Sequence, residues 1–255
     1  MNSFFRGRSF QVLVLACLAA IPCPADTYIT NSIADTFVAT GPTGKLSVSN
    51  FGAAGSLTVE SAALAQGPFQ SVLKFDLSGA ENHFNAEYGP GDWSIQSVSL
   101  QLTASAHGNP IFNPVAAGQF GISLMANGSW VEGTGTGGRP TTDGITYSSL
   151  TSTFINNASD QGLGTFQFVG GTSGTGNYNL ALNGGLTGDL QSGSDLSLRL
   201  YPTDNQVSYL FNSREAGTGV PELTIVATPE PGTLELGVTG MVLLAVWKRR
   251  CRGEV

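Results

Sequence analysis

Apolar and polar side chains alternate in short runs along most of the chain. Leu73-Phe75-Leu77, Val98-Leu100-Leu102, Phe120-Ile122-Leu124, Tyr178-Leu180-Leu182, Leu196-Leu198-Leu200 and Val207-Tyr209-Phe211 each space apolar residues two apart and are bounded by Gly, Asn, Ser or Pro. A period of two places those side chains on one face of a pleated strand, so the runs predict half-buried strands. Shorter runs from Thr36 to Val38, Leu46 to Val48, Leu57 to Val59, Phe166 to Val169 and Leu223 to Val226 predict further strands. Before the C-terminal tail, no twelve-residue window keeps the period of an amphipathic helix. Ten or more short strands joined by turns predict an all-β fold, a single antiparallel β-sandwich of jelly-roll type. Neither an internal repeat nor a long linker divides residues 26–228 into two cores, so they are read as one domain.

The two ends break this pattern. Arg6 and Arg8 precede an apolar run from Phe10 to Ile21 and then a small-residue stretch, Cys23-Pro24-Ala25. That order is the layout of a secretory signal peptide, residues 1–25, cleaved after Ala25. Acylation of Cys17 or Cys23 fits less well, because Cys17 lies inside the apolar run and Cys23 follows Pro22, where a small residue is wanted. At the other end, residues 229–255 open with Pro229-Glu230-Pro231, continue through an apolar stretch from Thr233 to Trp247, and finish with Lys248, Arg249, Arg250 and Arg252. The apolar stretch falls short of the about 20 residues that a helix needs to cross the hydrocarbon core, although Trp247 and Lys248 extend its reach at the interface. It reads as a marginal anchor whose cations stay cytoplasmic, with the body on the outer side.

Those three parts, in that order and spacing, resemble the tripartite PEP-CTERM sorting signal, which in Gram-negative bacteria is read by the membrane protease-transferase exosortase. The resemblance implies exosortase as a partner and brief residence in the inner membrane through residues 233–247, with the body facing the periplasm. It further implies release to the cell surface or medium, in the setting of extracellular polysaccharide production. Glu235 inside the apolar segment, and the run of the tail through Cys251 to Val255, depart mildly from the pattern.

Composition narrows the chemistry of the body. Only 11% of the chain is charged, against roughly 25% in ordinary soluble domains, and 34 glycines accompany many Ser, Thr and Asn residues. Cys17, Cys23 and Cys251 all lie in the end segments, which excludes a disulfide framework, a thiolate metal site and a cysteine nucleophile from residues 26–228. From Asp26 to Thr228 fifteen acidic residues face five basic ones (Lys45, Lys74, Arg139, Arg199 and Arg214). An acidic body argues against nucleic acid as a partner.

Within the body, "ADTFVAT", "NFGAAGSLTVES", "QSVLKFDLSG", "SIQSVSLQLTAS", "ISLMANGSWVEGTGTGG" with "DGITYSSL", and "FNSREAGTGVPELTIVA" follow one another. Their order resembles DNRLRE-type extracellular β-sandwiches, a group similar to some carbohydrate-binding modules. Each motif also has a structural reading. Asp35 precedes a strand, where an Asx side chain accepts bonds from backbone amides. Lys74 and Asp76 alternate with the apolar face of their strand and so face solvent or an adjacent strand. Trp130 either closes the end of the core or stacks on a sugar ring. Glu132 and Arg214 are expected to form an ion pair that clamps two strands, with ligand contact as the competing role. Sugar recognition needs a flat exposed ring amid amides, hydroxyls or carboxylates, and Trp93, Trp130, Tyr147, Tyr201 and Tyr209 are the candidates.

Catalysis finds less support. His83 and His107 stand alone in Gly- and Asn-rich segments, and neither HExxH nor GxSxG occurs. Carboxylate pairs such as Glu60 with Glu132 leave glycosidase chemistry open, but nothing in the sequence brings any two together. No cofactor is expected. A structural Ca2+ held by loop oxygens stays open, although the sequence has no Asp-dense loop of the EF-hand or RTX kind. The sequence therefore predicts an exported, exosortase-sorted sandwich with a structural or glycan-binding role in exopolysaccharide, and not an enzyme. The alternative is a polysaccharide-active lyase or glycosidase, or its accessory module.

Overall fold

A computed structural model of the chain describes residues 24–106 and 115–230. Among the described residues there are eleven strands, ten of them where the sequence runs predict them and one, Asp26–Asn31, where no run predicts a strand. These are β1 (Asp26–Asn31), β2 (Ala34–Ala39), β3 (Ser56–Glu60), β4 (Phe69–Phe75), β5 (Trp93–Thr103) and β6 (Gly118–Leu124) in the first half. They are followed by β7 (Gln161–Phe168), β8 (Thr175–Leu180), β9 (Leu196–Pro202), β10 (Ser208–Asn212) and β11 (Glu222–Pro229). One sheet has the order β1-β11-β5-β8, and the other runs β10-β3-β4-β9-β6-β7 with β2 also paired to β4. Every pairing is antiparallel. The architecture is an all-β sandwich with a few short helices.

Five of the pairs are nested along the chain: β6 with β7, β5 with β8, β4 with β9, β3 with β10, and β1 with β11. The chain therefore behaves like one long hairpin rolled into two sheets, which brings its first and last strands side by side. The inward residues of both sheets meet in one core that includes Leu73, Phe75, Val98, Leu100, Phe120, Leu198 and Ile225. Burial of these side chains is the main stabilising term, since nothing covalent crosslinks residues 26–228.

Two bulges re-aim side chains within this core. In β5, Val226 faces Ser97 while Ala227 faces Ile95, which leaves Gln96 as the extra residue. The insertion switches the inward parity from Val98, Leu100 and Leu102 to Trp93, with Ile95 packed against the same core. In β7, Ser123 faces Gly162 and Ile122 faces Gly164, so Leu163 is the extra residue. Leu163 and Phe168 then both reach the core despite their unequal spacing, and Gly164 adopts φ 143° to make the bend.

Helices occur where the sequence pattern predicts none. In α1 (Ser78–Tyr88), Asp76 Oδ1 accepts the Ser78 amide at 2.8 Å, and Ala80 and Phe84, four apart, bury one face. A second short helix, α2 (Tyr147–Ser149), runs into a wider turn over Leu150–Phe154. In α3 (Gly184–Ser192), Asn183 Oδ1 accepts the Leu186 amide at 2.9 Å, and Gly193 closes the end in the left-handed region. Phe84, Leu186 and Leu190 join the main core from α1 and α3. The run from Leu46 to Val48, expected as a strand, is a 3-10 turn over Lys45–Val48. Leu46 packs against the Phe37, Phe51 and Phe69 cluster while Val48 is 61% exposed, so a single anchored side chain holds a turn and not a pleat. β8 likewise ends at Leu180, and Leu182, expected within the strand, is 41% exposed.

Candidate functional site

The segment between β6 and β7 crosses the outer face of the larger sheet and carries three of the candidate residues, Trp130, Glu132 and Tyr147. Trp130, from this segment, is 2% exposed and packs with Val38, Val72, Met125, Ile145 and Leu150 in a second core. Its Nε1 donates to Ser197 Oγ at 3.2 Å, while Lys74 Nζ lies 4.9 Å from the ring centroid and donates to the Trp130 carbonyl at 3.2 Å. Trp93 is 3% exposed in the main core and donates Nε1 to Asn85 Oδ1 at 2.8 Å. Tyr209 is 1% exposed. The two tryptophan rings offer no face to a sugar in this conformation, because each is spent on packing, whereas Tyr209 packs in the core and also lines the cleft between β7 and β8.

A carboxylate cluster sits where β2, this segment and the turn after β10 meet. Asp35 Oδ2 accepts Ser32 Oγ at 2.8 Å and the Arg214 amide at 3.0 Å, and the Asp35 amide donates to Glu132 Oε1 at 2.8 Å. Arg214 Nη2 lies 2.6 Å from Glu132 Oε2 and 2.9 Å from Glu215 Oε1. Ser213 Oγ donates to Glu215 Oε2 at 3.0 Å. Asp35 is fully buried, and burial pushes its carboxyl up to about 7, against the bonds from Ser32 and the Arg214 amide. Partial burial also raises Glu132, opposed by the Asp35 amide and by Arg214. The sequence pairs Glu132 with Arg214 and leaves Asp35 on its own; the fold makes the three one network and adds Glu215.

Asn50, with no signal in the sequence, organises the same segment. Its Nδ2 donates to the carbonyls of Glu132 at 2.6 Å and Ile145 at 2.8 Å, and its Oδ1 accepts the amides of Gly52 at 3.1 Å and Gly135 at 3.2 Å. The buried amide thus uses both its donors and both acceptor sites to gather chain from three places. Gly133, at φ 80°, passes so close to the Asn50 side chain that a Cβ would collide with Oδ1. Gly133 and Gly135 of "VEGTGTGG" both pass Asn50 too closely for a Cβ, whereas Gly138 stands in open space.

Tyr147 and Tyr201, both half-buried, converge on Arg199. The guanidinium lies 4.5 Å from the Tyr201 ring centroid, and its Nε donates to Gln70 Oε1 at 2.7 Å. Burial pulls the Arg199 guanidinium down, partly offset by Tyr201, Asp160 and Tyr147. Gly121 makes room for the Tyr201 ring on the neighbouring strand. The result is a cation, an amide and a ring on the outer face of the larger sheet, chemistry suited to hydroxylated or anionic groups.

A separate cleft of about 320 Å³ opens between the edge strands β7 and β8, lined by Gln167, Phe168, Val169, Asn177, Tyr178 and Tyr209 among others. Asn177 and Gln167 are both exposed, and they offer side-chain amides above an aromatic floor in which Phe168 and Tyr209 stack at 3.8 Å. Its size falls at the small end of the about 300–1,000 Å³ typical of ligand sites.

The remaining candidates stay apart. Glu60 is fully buried in β3 and accepts Ser208 Oγ at 3.2 Å, a setting distinct from the Glu132 cluster. His83 bonds Asp26 at 2.7 Å; His107 lies outside the described residues. Pro229 ends β11 opposite Trp93, and the Glu230 amide donates to the Asp92 carbonyl at 2.9 Å. Pro231, residues 1–23 and the apolar stretch 233–247 lie outside the described residues, and among the described ones no helix is long and apolar enough to cross a membrane. Compared with protein-family models and with curated proteins, the chain matches none.

Proposed function

We propose that this chain is an exported, exosortase-sorted protein whose β-sandwich binds glycan in an extracellular polysaccharide matrix. The observation that carries the sorting half is where the body begins and ends. β1 starts at Asp26, immediately after Ala25, and β11 ends at Pro229, the first residue of Pro-Glu-Pro. Because β1 and β11 are paired neighbours, a signal and a sorting tail joined to them leave the sandwich without interrupting its core. The jelly-roll reading is supported by the nested pairing of β1, β4, β5 and β6 with β11, β9, β8 and β7, the pattern of two interlocked Greek keys.

The glycan half rests on the cleft between β7 and β8, where amide side chains surround an aromatic floor. Trp93 and Trp130 drop out of the binding role by burial, whereas Tyr147 and Tyr201 keep partly exposed rings beside Arg199. An enzymatic role is disfavoured by the carboxylate cluster itself, since fully buried Asp35 is out of reach of a glycosidic bond.

Two measurements test the reading. Intact mass of the protein recovered from an exosortase-bearing host should lack Trp247 and the basic tail; a retained tail sinks the sorting half. On a column of the host's exopolysaccharide, Asn177→Ala and Gln167→Ala should lose retention while melting as wild type does. Unchanged retention in both removes the cleft from the binding role, and release of reducing ends by the wild type would favour the enzyme instead.

A further inference from the structure

We propose that Asp35, Glu132 and Glu215 form a divalent-cation site with the oxygen-only chemistry of Ca2+. One carboxylate oxygen from each residue lies within 4.8 Å of the other two. Oxygens that share a Ca2+ sit about 2.3–2.6 Å from it and so at most about twice that distance apart, whereas Mg2+ draws its ligands closer, at about 2.0–2.1 Å. No histidine or cysteine belongs to the cluster, which sets it apart from the nitrogen and sulfur sites of zinc.

A second observation points to a missing ligand. Asp35 is fully buried, and its Oδ1 has no hydrogen-bond partner although Oδ2 has two. A buried carboxylate oxygen is rarely left so, because it has given up water without replacement. Every other carboxylate oxygen of the cluster is engaged: Glu132 by the Asp35 amide and Arg214, and Glu215 by Arg214 and Ser213. Each of those oxygens keeps a further lone pair.

Charge agrees. Among the described residues Arg214 is the one cation at ion-pair distance from these carboxylates, so the three carboxylates, once ionised, would leave two charges over against one guanidinium. One divalent cation balances them. Arg214, whose side chain is 42% exposed, holds the two glutamates from the solvent side, and Asp35 closes the site from within. The ligands come from β2, from the segment after β6 and from the turn after β10, so a bound ion would fasten three parts of the chain that are otherwise joined by hydrogen bonds.

The test uses the full chain, purified in detergent, stripped with EGTA and titrated with CaCl2 by calorimetry and thermal melting, with MgCl2 in parallel. Wild type should bind one Ca2+ per chain, with a saturable rise in melting temperature and a weaker response to Mg2+. Asp35→Asn should weaken Ca2+ binding by more than the roughly 10–100-fold typical of losing an outer-sphere partner. Asp143→Asn, which removes an exposed carboxylate, should bind as wild type does. If Asp35→Asn does not fold, Glu215→Gln at the rim gives the same reading. Wild-type protein with neither heat nor a melting shift up to about 10 mM Ca2+, beyond the weak range of extracellular modules, overturns the site and leaves water on Oδ1. Wild-type affinity in the folded variants overturns it equally, by placing the ion elsewhere.

Discussion

Glu132 and Arg214 form an ion pair whose two members are not equivalent. Arg214 is 42% exposed on its side chain, so its removal leaves Glu132 still bonded to the Asp35 amide and partly reachable by water. Glu132, at 17%, also carries that amide, and its removal orphans a buried N–H, while the guanidinium keeps Glu215. We expect Arg214→Ala to cost about 0–1 kcal/mol and Glu132→Ala about 1–3 kcal/mol in urea unfolding. The double variant should cost less than the sum, because each single change already loses the shared Glu132–Arg214 bond. Equal single costs would mean that the Asp35 amide bond contributes nothing. The pair itself was expected from the sequence, although neither member lies in a strand; the amide bond was not, because it joins residues 97 apart in sequence.

Asp143 responds to pH. Its carboxylate accepts Thr141 Oγ1 at 2.5 Å, Thr134 Oγ1 at 2.7 Å and the Thr134 amide at 3.1 Å. These bonds, the Thr141 hydroxyl foremost, hold it down at about 2, below the usual 3.8. The folded state therefore binds this proton more weakly than the unfolded chain does. The stability that results is fully present above about pH 4 and is lost as pH falls toward 2. Asp143→Asn should flatten that part of the acid-unfolding profile while leaving the region above pH 5 parallel to wild type. An unchanged acid limb would show the threonine bonds to be irrelevant to folding.

Among the elements, strands were readable and helices were not. α1 buries only Ala80 and Phe84, and α3 only Leu186 and Leu190, so neither writes a stripe long enough to register as a 3.6-residue period. What makes them helices is their caps and the open end of the sandwich they fill. The segment between β6 and β7 is a stronger case, since its shape comes from Asn50, a residue more than 80 positions away from the Glu132 and Ile145 carbonyls it binds. Asn50→Ala would leave two carbonyls and two amides without their partner. We expect a cost of about 2–4 kcal/mol, read as a lower urea midpoint at unchanged m-value. A change below about 0.5 kcal/mol would mean that the glycine-rich approach holds the segment unaided.

The sandwich as a unit has no covalent staple between residues 26 and 230, so reductant should leave its melting temperature unchanged. A drop would place one of the three terminal cysteines in a bond that the strands depend on. Strand content, the two-layer class and the absence of thiol chemistry in the body were already present in the order of residues, because a period of two and a residue count are local properties. The parity switches at Gln96 and Leu163, the closure of β1 on β11, the burial of Trp93 and Trp130, and the meeting of Asp35 with Glu132 and Glu215 were not. Each depends on which distant strand lies alongside, and a bulge of one residue exchanges the inner and outer faces of everything beyond it. An aromatic residue in a linear pattern is a ring with two fates, core or platform, and packing between sheets chooses between them.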